Sequence, residues 1–399
     1  MVSVLTRIFG FNEIEMAEDV VQECMIKALH EWPFHGIPEN PQAWLYKVAR
    51  NKAIDILRRQ KKLVYQTDNV AAMALVEKGI SGKIDDLFLD HEIKDSQLRM
   101  IFACCSPEIN SEAQVALTLK TLCGFSIKEI ARAFVSNEET ISKRLVRAKQ
   151  KLRDEGVRME VPMGSLLSVR LDSVLKTVYL LFNEGYNASS GDLTIRKDVC
   201  LEAMRLAYLL YGQPVTNTIE TKSLLALMCF HAARFDSRID KDGAIILLPD
   251  QDRRLWEQEL LRQGYLFLNE ASEGFVPNEY NIEAGIMAVH CSAAIYEETD
   301  WPVILQLYEA LQSIKDTPVV RLNKAIVIGQ IDGPAVAIDY ILKNIEIKNY
   351  YLYHAILGDL YLRDQQPGKA MDHLKTALGL TESNAEKTLI EKKLTLAGS

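Results

Sequence analysis

Apolar residues return at spacings of three and four along almost the whole chain, and the alternation of a half-buried strand is nearly absent. This pattern predicts an all-α protein. In the segment 40–62, Trp44, Leu45, Val48, Ile54 and Leu57 form one apolar stripe. Asn40 before Pro41 marks a helix start, because Asn caps free amides and Pro loses nothing in the first turn. Between 124 and 153 the pattern changes to two short helices and a turn. Ile127, Ile130 and Ala131 lie on the first, and Thr140, Ile141 and Leu145 on the second. That is helix-turn-helix grammar, with Ala131 small because the two helices cross closely there. Polar and glycine-bearing stretches punctuate the rest. A connector at 63–84 separates a first helical unit, 1–62, from a second, 85–153. A linker at 154–165, with Gly156, Pro162 and Gly164, precedes a long helical region over 166–399. Breaks within that region are expected at Gly191, Gly212–Gln213–Pro214, Asp242–Gly243, Gly274, Pro277 and Gly333–Pro334.

The last third, from about residue 282, repeats itself. Ile304, Ala337 and Ala370 recur 33 residues apart, and Tyr308, Ile341 and Leu374 follow in the same register, as do Leu311, Asn344 and Ala377. Gly358 and Tyr361 precede Ala370 in the order that a tetratricopeptide repeat uses for its first helix. The series is incomplete in each copy, so the expectation is a tetratricopeptide-like array.

The formal net charge of −8 conceals an asymmetry. Residues 1–153 carry a net charge of about +2 and the remainder about −10. A basic half beside an acidic half suggests a nucleic-acid partner for the first, which the second could shield. No apolar stretch approaches the roughly 18 residues of a membrane helix, and no cleavable leader is evident, so no membrane partner and a cytoplasmic location are expected. The seven cysteines are scattered through apolar helical patterns and read as small buried hydrophobes. Cys104 and Cys105 are adjacent, without a His at ligand spacing, so neither a metal nor any other cofactor is expected.

Two basic constellations carry the chemistry. In 46–62 seven Lys/Arg stand against the single acid Asp55, and Lys47, Arg50, Asn51, Lys52, Arg58 and Arg59 lie off the apolar stripe. Cations repeated along a helix follow phosphates, while amides can contact bases. In the second, Glu138–Glu139 suits the positive start of a helix. From 143 to 153 there follow six Lys/Arg and no acid: Lys143, Arg144, Arg147, Lys149, Lys151 and Arg153. Such a helix can place its first residues on base edges and its tail on phosphates. Val135 occupies the turn position where Gly is common in this motif.

AEDVVQECMIKALHEWP followed by NPQAWLYKVARNKAIDILRRQ resembles region 2 of extracytoplasmic-function (ECF) sigma factors, and LTLKTLCGFSIKEIARAFVSNEETISKRLVRAKQKL resembles their region 4. LRMIFACCSPEINSEAQVALTL, VYLLFNEGY, LLPDQDRRLW, NEYNIEAGIMAVHC and TPVVRLNKAIVIG resemble the subgroup with a tetratricopeptide-like C-terminal extension. The resemblance implies an alternative sigma factor, whose partners are core RNA polymerase and promoter DNA. It implies polymerase docking through Asp19, Gln22 and Glu23. Contacts to the downstream (minus-ten) promoter element fall to Lys47, Arg50, Asn51, Asp55, Arg58 and Arg59. Those to the upstream (minus-thirty-five) element fall to Thr140, Lys143, Arg144 and Arg147. It further implies that the extension regulates activity. Two departures stand out. The family usually has one or two further helical turns before Met1, which makes region 2 short at that end, and Ser106 stands where the subgroup often has His.

Two other readings compete. A helix-turn-helix regulator with a helical-repeat sensor, independent of polymerase, explains the second constellation but leaves 17–59 without a role. An enzyme could use Asn183, Glu184 and Tyr186 with Asp250, Asp252 and Arg253 and with His231 or His290. Such groups in helical arrays are more often mutually satisfied. The expectation is therefore no catalysis. Asn183, Glu184, Tyr186, Asp252 and Arg253 are instead taken as a pocket for a protein or small-molecule regulator, since stacked helical repeats build concave surfaces.

Overall fold

The computed structural model describes residues 1–64, 84, 86–134, 136–186, 195–241, 244–273, 276–381 and 383–398. Most of the connector at 63–84, the turn position Val135 and the expected breaks at Gly191, Asp242–Gly243 and Gly274 lie outside the described residues. Among the described residues every regular element is a helix, apart from an isolated bridge between Ile239 and Ile245. The chain forms two compact units, one centred on Met1–Arg132 and Ser136–Thr177, the other on Val178–Ser399.

The first unit opens with α1 (Val2–Phe9), α2 (Ile14–His35) and α3 (Pro41–Val64). Leu5, Ala17, Val20, Cys24, Ala49 and Ala53 form their common core. The alanines let α2 and α3 approach closely. α2 ends at Gly36, whose φ of 81° carries its amide back to the Trp32 carbonyl at 2.9 Å. α3 starts where the sequence predicts, with Asn40 Oδ1 accepting from the Ala43 amide at 2.9 Å. Next come α4 (Asp90–Cys104), α5 (Ser111–Thr121), α6 (Ile127–Ala133) and α7 (Glu138–Asp154).

α8 (Ser165–Tyr186) begins in the first unit and ends in the second. Three hydrogen bonds tie its first half to α4 and α5. Arg170 Nη2 donates to the Phe102 carbonyl at 2.6 Å, Ser173 Oγ to that of Cys105 at 3.0 Å, and Thr177 Oγ1 to Gln114 Oε1 at 2.9 Å.

In the second unit α9 (Lys197–Tyr211), α10 (Ile219–Ala232), α11 (Gln258–Ser272) and α12 (Glu279–Ser292) come first. α10 is buried from Ser223 through Phe230, the signature of a helix surrounded by others. Then follow α13 (Trp301–Ile314), α14 (Pro318–Ile331), α15 (Pro334–Asn344), α16 (Tyr351–Arg363), α17 (Pro367–Leu380) and α18 (Asn384–Gly398). α13, α15 and α17 start 33 residues apart, and so do α14, α16 and α18. Ile304, Ala337 and Ala370 hold equivalent, fully buried places in the first set. Gly358 is required by contact, because a Cβ there would stand 2.6 Å from Leu374 Cγ. Cys24, Cys104, Cys105, Cys200 and Cys229 are buried free thiols. Burial pushes Cys105 up to about 11 and Cys229 to about 12, so they stay protonated and pack as apolar groups.

Candidate functional site

The buried stripe of α2 is Ile14, Ala17, Val20, Cys24 and Ala28. Asp19, Gln22 and Glu23 fall off it and are exposed. So do Met25, Ile26 and Leu29, the last 75% exposed. Acidic, amide and apolar side chains thus share the exposed side of α2. The sequence contained this signal, since these three residues lie off the register of the stripe. On α3, Lys47, Asn51, Asp55, Arg58 and Arg59 are exposed, and the half-buried Arg50 donates to Asn51 Oδ1 at 3.1 Å. Lys52 Nζ lies 2.5 Å from Glu23 Oε2 and joins the two helices. Glu23, Lys27, Asn51, Lys52 and Asp55 line one cavity of about 280 Å³. Residues expected to meet polymerase and residues expected to meet DNA therefore share one groove.

In the helix-turn-helix, Ser126 and Glu129 cap α6 reciprocally. The Ser126 amide donates to Glu129 Oε2 at 2.7 Å, and the Glu129 amide donates to Ser126 Oγ at 3.2 Å. Asn137 Oδ1 accepts from the Thr140 amide at 2.7 Å and starts α7. Ile130, Ala131, Ile141 and Leu145 are buried. Thr140, Lys143 and Arg147 are exposed along α7. Lys143 pairs with Glu139 at 2.6 Å, while Arg144 reaches Glu112 of α5 at 2.7 Å.

The basic tail of α7 is divided. Lys151 faces solvent, but Lys149 is buried with Nζ 2.7 Å from Glu18 Oε2, and Arg153 Nη1 is 2.7 Å from Glu15 Oε2. Arg7 of α1 meets Glu92 at 2.7 Å and Asp95 at 2.9 Å, both on α4. The two helical blocks of the first unit are thus joined by ion pairs, and α7, one of the two helices that carry the cations expected to meet DNA, is held against α2.

The residues singled out in the second unit fall into separate contacts. Tyr186 packs at a tilt against His231 with centroids 4.6 Å apart and carries the Arg238 guanidinium 3.7 Å from its own centroid. Asn183 hydrogen-bonds Tyr179, and Glu184 is half-buried. Asp252 turns outward to Arg254 at 2.7 Å, which holds its carboxyl down at about 2. Arg253 turns the other way and donates to the carbonyls of His290 at 2.6 Å and Ala293 at 2.5 Å. Asp252 and Arg253 are thus a surface pair and a clamp on the end of α12. A cavity does open beside His231, but its lining includes none of Asn183, Glu184, Tyr186, Asp252 and Arg253. Gly185 of the same motif serves packing, since a Cβ there would meet Cys200 Sγ at 2.7 Å.

A capped helix-turn-helix behind a helical pair with a basic, amide-bearing face defines a helical DNA-binding protein of transcription. The comparisons make this particular. The family described as Sigma-70 region 2 matches residues 1–63, and Sigma-70, region 4 matches 99–152. Residues 170–272 match a family of unknown function, DUF6596. An uncharacterized protein of Rhizobium meliloti is 33% identical over 385 residues, 96% of this chain and 90% of that one. The RNA polymerase sigma factor SigV of Bacillus subtilis is 30% identical over 137 residues, 34% of this chain and 74% of that one. The ECF sigma factor SigX of the same organism is 25% identical over 162 residues, 36% of this chain and 77% of that one. No solved structure matches. The chain belongs to the ECF sigma factors, and along nearly its full length it shares a family with the Rhizobium protein.

Proposed function

We propose that the chain is an alternative sigma factor that docks on core RNA polymerase through α2, reads promoter DNA with α3 and α7, and is regulated by residues 166–399. The observation that carries this reading is the exposed face of α2, where Asp19, Gln22 and Glu23 adjoin Met25, Ile26 and Leu29. A helix-turn-helix regulator acting alone has no use for that face. Asn51, Arg58 and Arg59 are the base- and phosphate-contacting groups on α3, and Thr140, Lys143 and Arg147 on α7. Arg144 joins them once its pair with Glu112 opens. We read the 33-residue pairs as a tetratricopeptide-like scaffold that receives the regulatory signal. Support for regulation comes from α8, whose first half belongs to the same compact unit as the helix-turn-helix.

The test is transcription from a cognate promoter with purified core enzyme. Reversing Asp19 and Glu23 to Lys should abolish co-purification with core enzyme and transcription while the fold persists. Promoter-directed activity that needs no polymerase contact would favour the solitary regulator. Chain 1–177, which keeps the half of α8 bound to α4 and α5, should then be compared with the full chain. A gain shows that the extension restrains initiation, a loss shows that it supports it, and equal activity refutes the regulatory reading.

A further inference from the structure

The cavity beside His231 has a volume of about 480 Å³ and lies among the end of α8, α10, α12, α13 and α14, with every lining residue in the second unit. That is the size of a small-molecule site, commonly about 300–1,000 Å³. Its wall is aliphatic, with Leu227, Ile286, Leu311 and Val320. Glu283, Lys315 and His231 are among the polar groups that line the cavity, with Tyr179, Tyr308, Thr317 and Asn323. Glu283 makes one hydrogen bond among the described residues, accepting from the Tyr179 hydroxyl at 2.9 Å. Lys315 lies on the rim, with Nζ 2.5 Å from Glu279 Oε2. His231 contributes a ring whose Nδ1 is buried without a hydrogen-bond partner among the described residues.

Glu279 and Glu283 face the single ammonium of Lys315, and that ammonium is already engaged by Glu279. Burial accordingly pushes the Glu283 carboxyl above its ordinary range, against the hydrogen bond from Tyr179 that lowers it. A half-buried carboxylate with one neutral donor is stabilised most by a cation brought into the cavity. The apolar wall selects a cation with an apolar body, not a hydrated metal ion. The neutral His231 imidazole in the same lining can accept or donate one further hydrogen bond.

We propose that this cavity binds a small organic amine, whose ammonium pairs with Glu283 and whose apolar body fills the aliphatic wall beside His231. The binding itself does not depend on the sigma-factor reading. Only its consequence for transcription does.

The probe is tryptamine, compared with tryptophol and indole-3-propionate, which keep the indole body and replace the ammonium by a hydroxyl and a carboxylate. Calorimetry on the full chain should show saturable binding of tryptamine, tighter than tryptophol by about tenfold or more, as a charge-assisted hydrogen bond requires. Glu283→Gln, which keeps the shape, should bring the two affinities together. Val320→Phe, which fills the cavity, should remove binding of both and guards against a Glu283→Gln chain that fails to fold. Equal affinities in the unaltered chain, preference for the carboxylate, an unchanged ratio in Glu283→Gln, or no binding of tryptamine up to millimolar concentration each overturns the proposal. A chain that binds tryptamine but does not support transcription keeps the site and refutes the sigma-factor reading.

Discussion

The two compact units use ionisable residues in opposite ways. In the first, Lys47, Arg58, Arg59, Lys143 and Arg147 stand on helix surfaces in water. In the second, Arg234 is buried with its Nε on Gln251 at 3.0 Å, and Arg238 packs on Tyr186. His231 and His290 are held neutral there by burial. Surface cations keep their hydration until a polyanion replaces it, so they suit a partner that comes and goes. Buried polar groups must find partners inside, so they shape a fold or await a ligand. Net charge alone misses this difference, since it weighs an exposed Arg59 and a buried Arg234 alike.

Lys149 is the residue that crosses the divide, a buried cation in the unit of exposed ones. Its side chain is 8% exposed and that of Glu18 is 16%. The second oxygen of Glu18 is buried without a partner among the described residues, so the pair is incompletely satisfied. Removing one member of a buried pair costs about 3–5 kcal/mol, whereas replacing both by apolar residues is often neutral or stabilising. Lys149→Met should therefore destabilise the full chain by about that amount in denaturant unfolding. Combining it with Glu18→Leu should restore the loss. The double variant should also transcribe less, because an apolar seam holds α7 against α2 more firmly than an ion pair does. A single variant as stable as the parent would place Lys149 among the solvated cations.

A smaller effect comes from glycine. Gly185 of the second unit touches Cys200, and the Arg196 amide donates to its carbonyl at 2.7 Å. Gly185→Ala should cost about 1–3 kcal/mol by overpacking. Gly379 in α17 has nothing within 4 Å of an added Cβ. There Ala should be neutral or stabilise by about 0.4–1 kcal/mol through the unfolded chain. Thermal unfolding of the two variants distinguishes a glycine required by contact from one that is not.

These cases show what could be read from the chain before its structure. Asn40, Asn137 and the Ser126–Glu129 box start helices within four residues of themselves, and the 33-residue spacing of Ile304, Ala337 and Ala370 needs only counting. Local chemistry and periodicity are legible. The partner of Lys149 lies 131 residues away and that of Tyr179 lies 104 away, and no pattern near either announces it. Side-chain direction is not legible either. Asp252 and Arg253 are consecutive, yet on a short turn they leave in different directions, one to Arg254 and the other to the end of α12.

The smallest expected effect tests the buried side of the comparison through pH. Burial, with Arg234 and Arg253 nearby, lowers His290 to about 4, and its ring packs edge-on against Trp301 at 5.4 Å. In the unfolded chain an imidazole takes up its proton below about 6.5. Between these two values the unfolded state binds more protons than the folded one, so stability falls as pH falls, by at most about 1.4 kcal/mol per pH unit for one histidine. His231, lowered by burial and by Arg234 and Arg238, acts in the same direction. Glu283 opposes them. Its folded carboxyl is raised, so between the ordinary carboxyl value of 4.5 and that raised value the folded chain holds a proton the unfolded chain has released, and stability rises as pH falls. From pH 6 down to pH 5 the two imidazoles therefore act against the carboxyl. Comparing unfolding of the parent with His290→Phe cancels every group the two share. The variant should lose less stability over that range, with the difference vanishing above pH 7. Parallel curves would mean that the His290 imidazole titrates as it does in water, and that the second unit does not hold it as a buried neutral group.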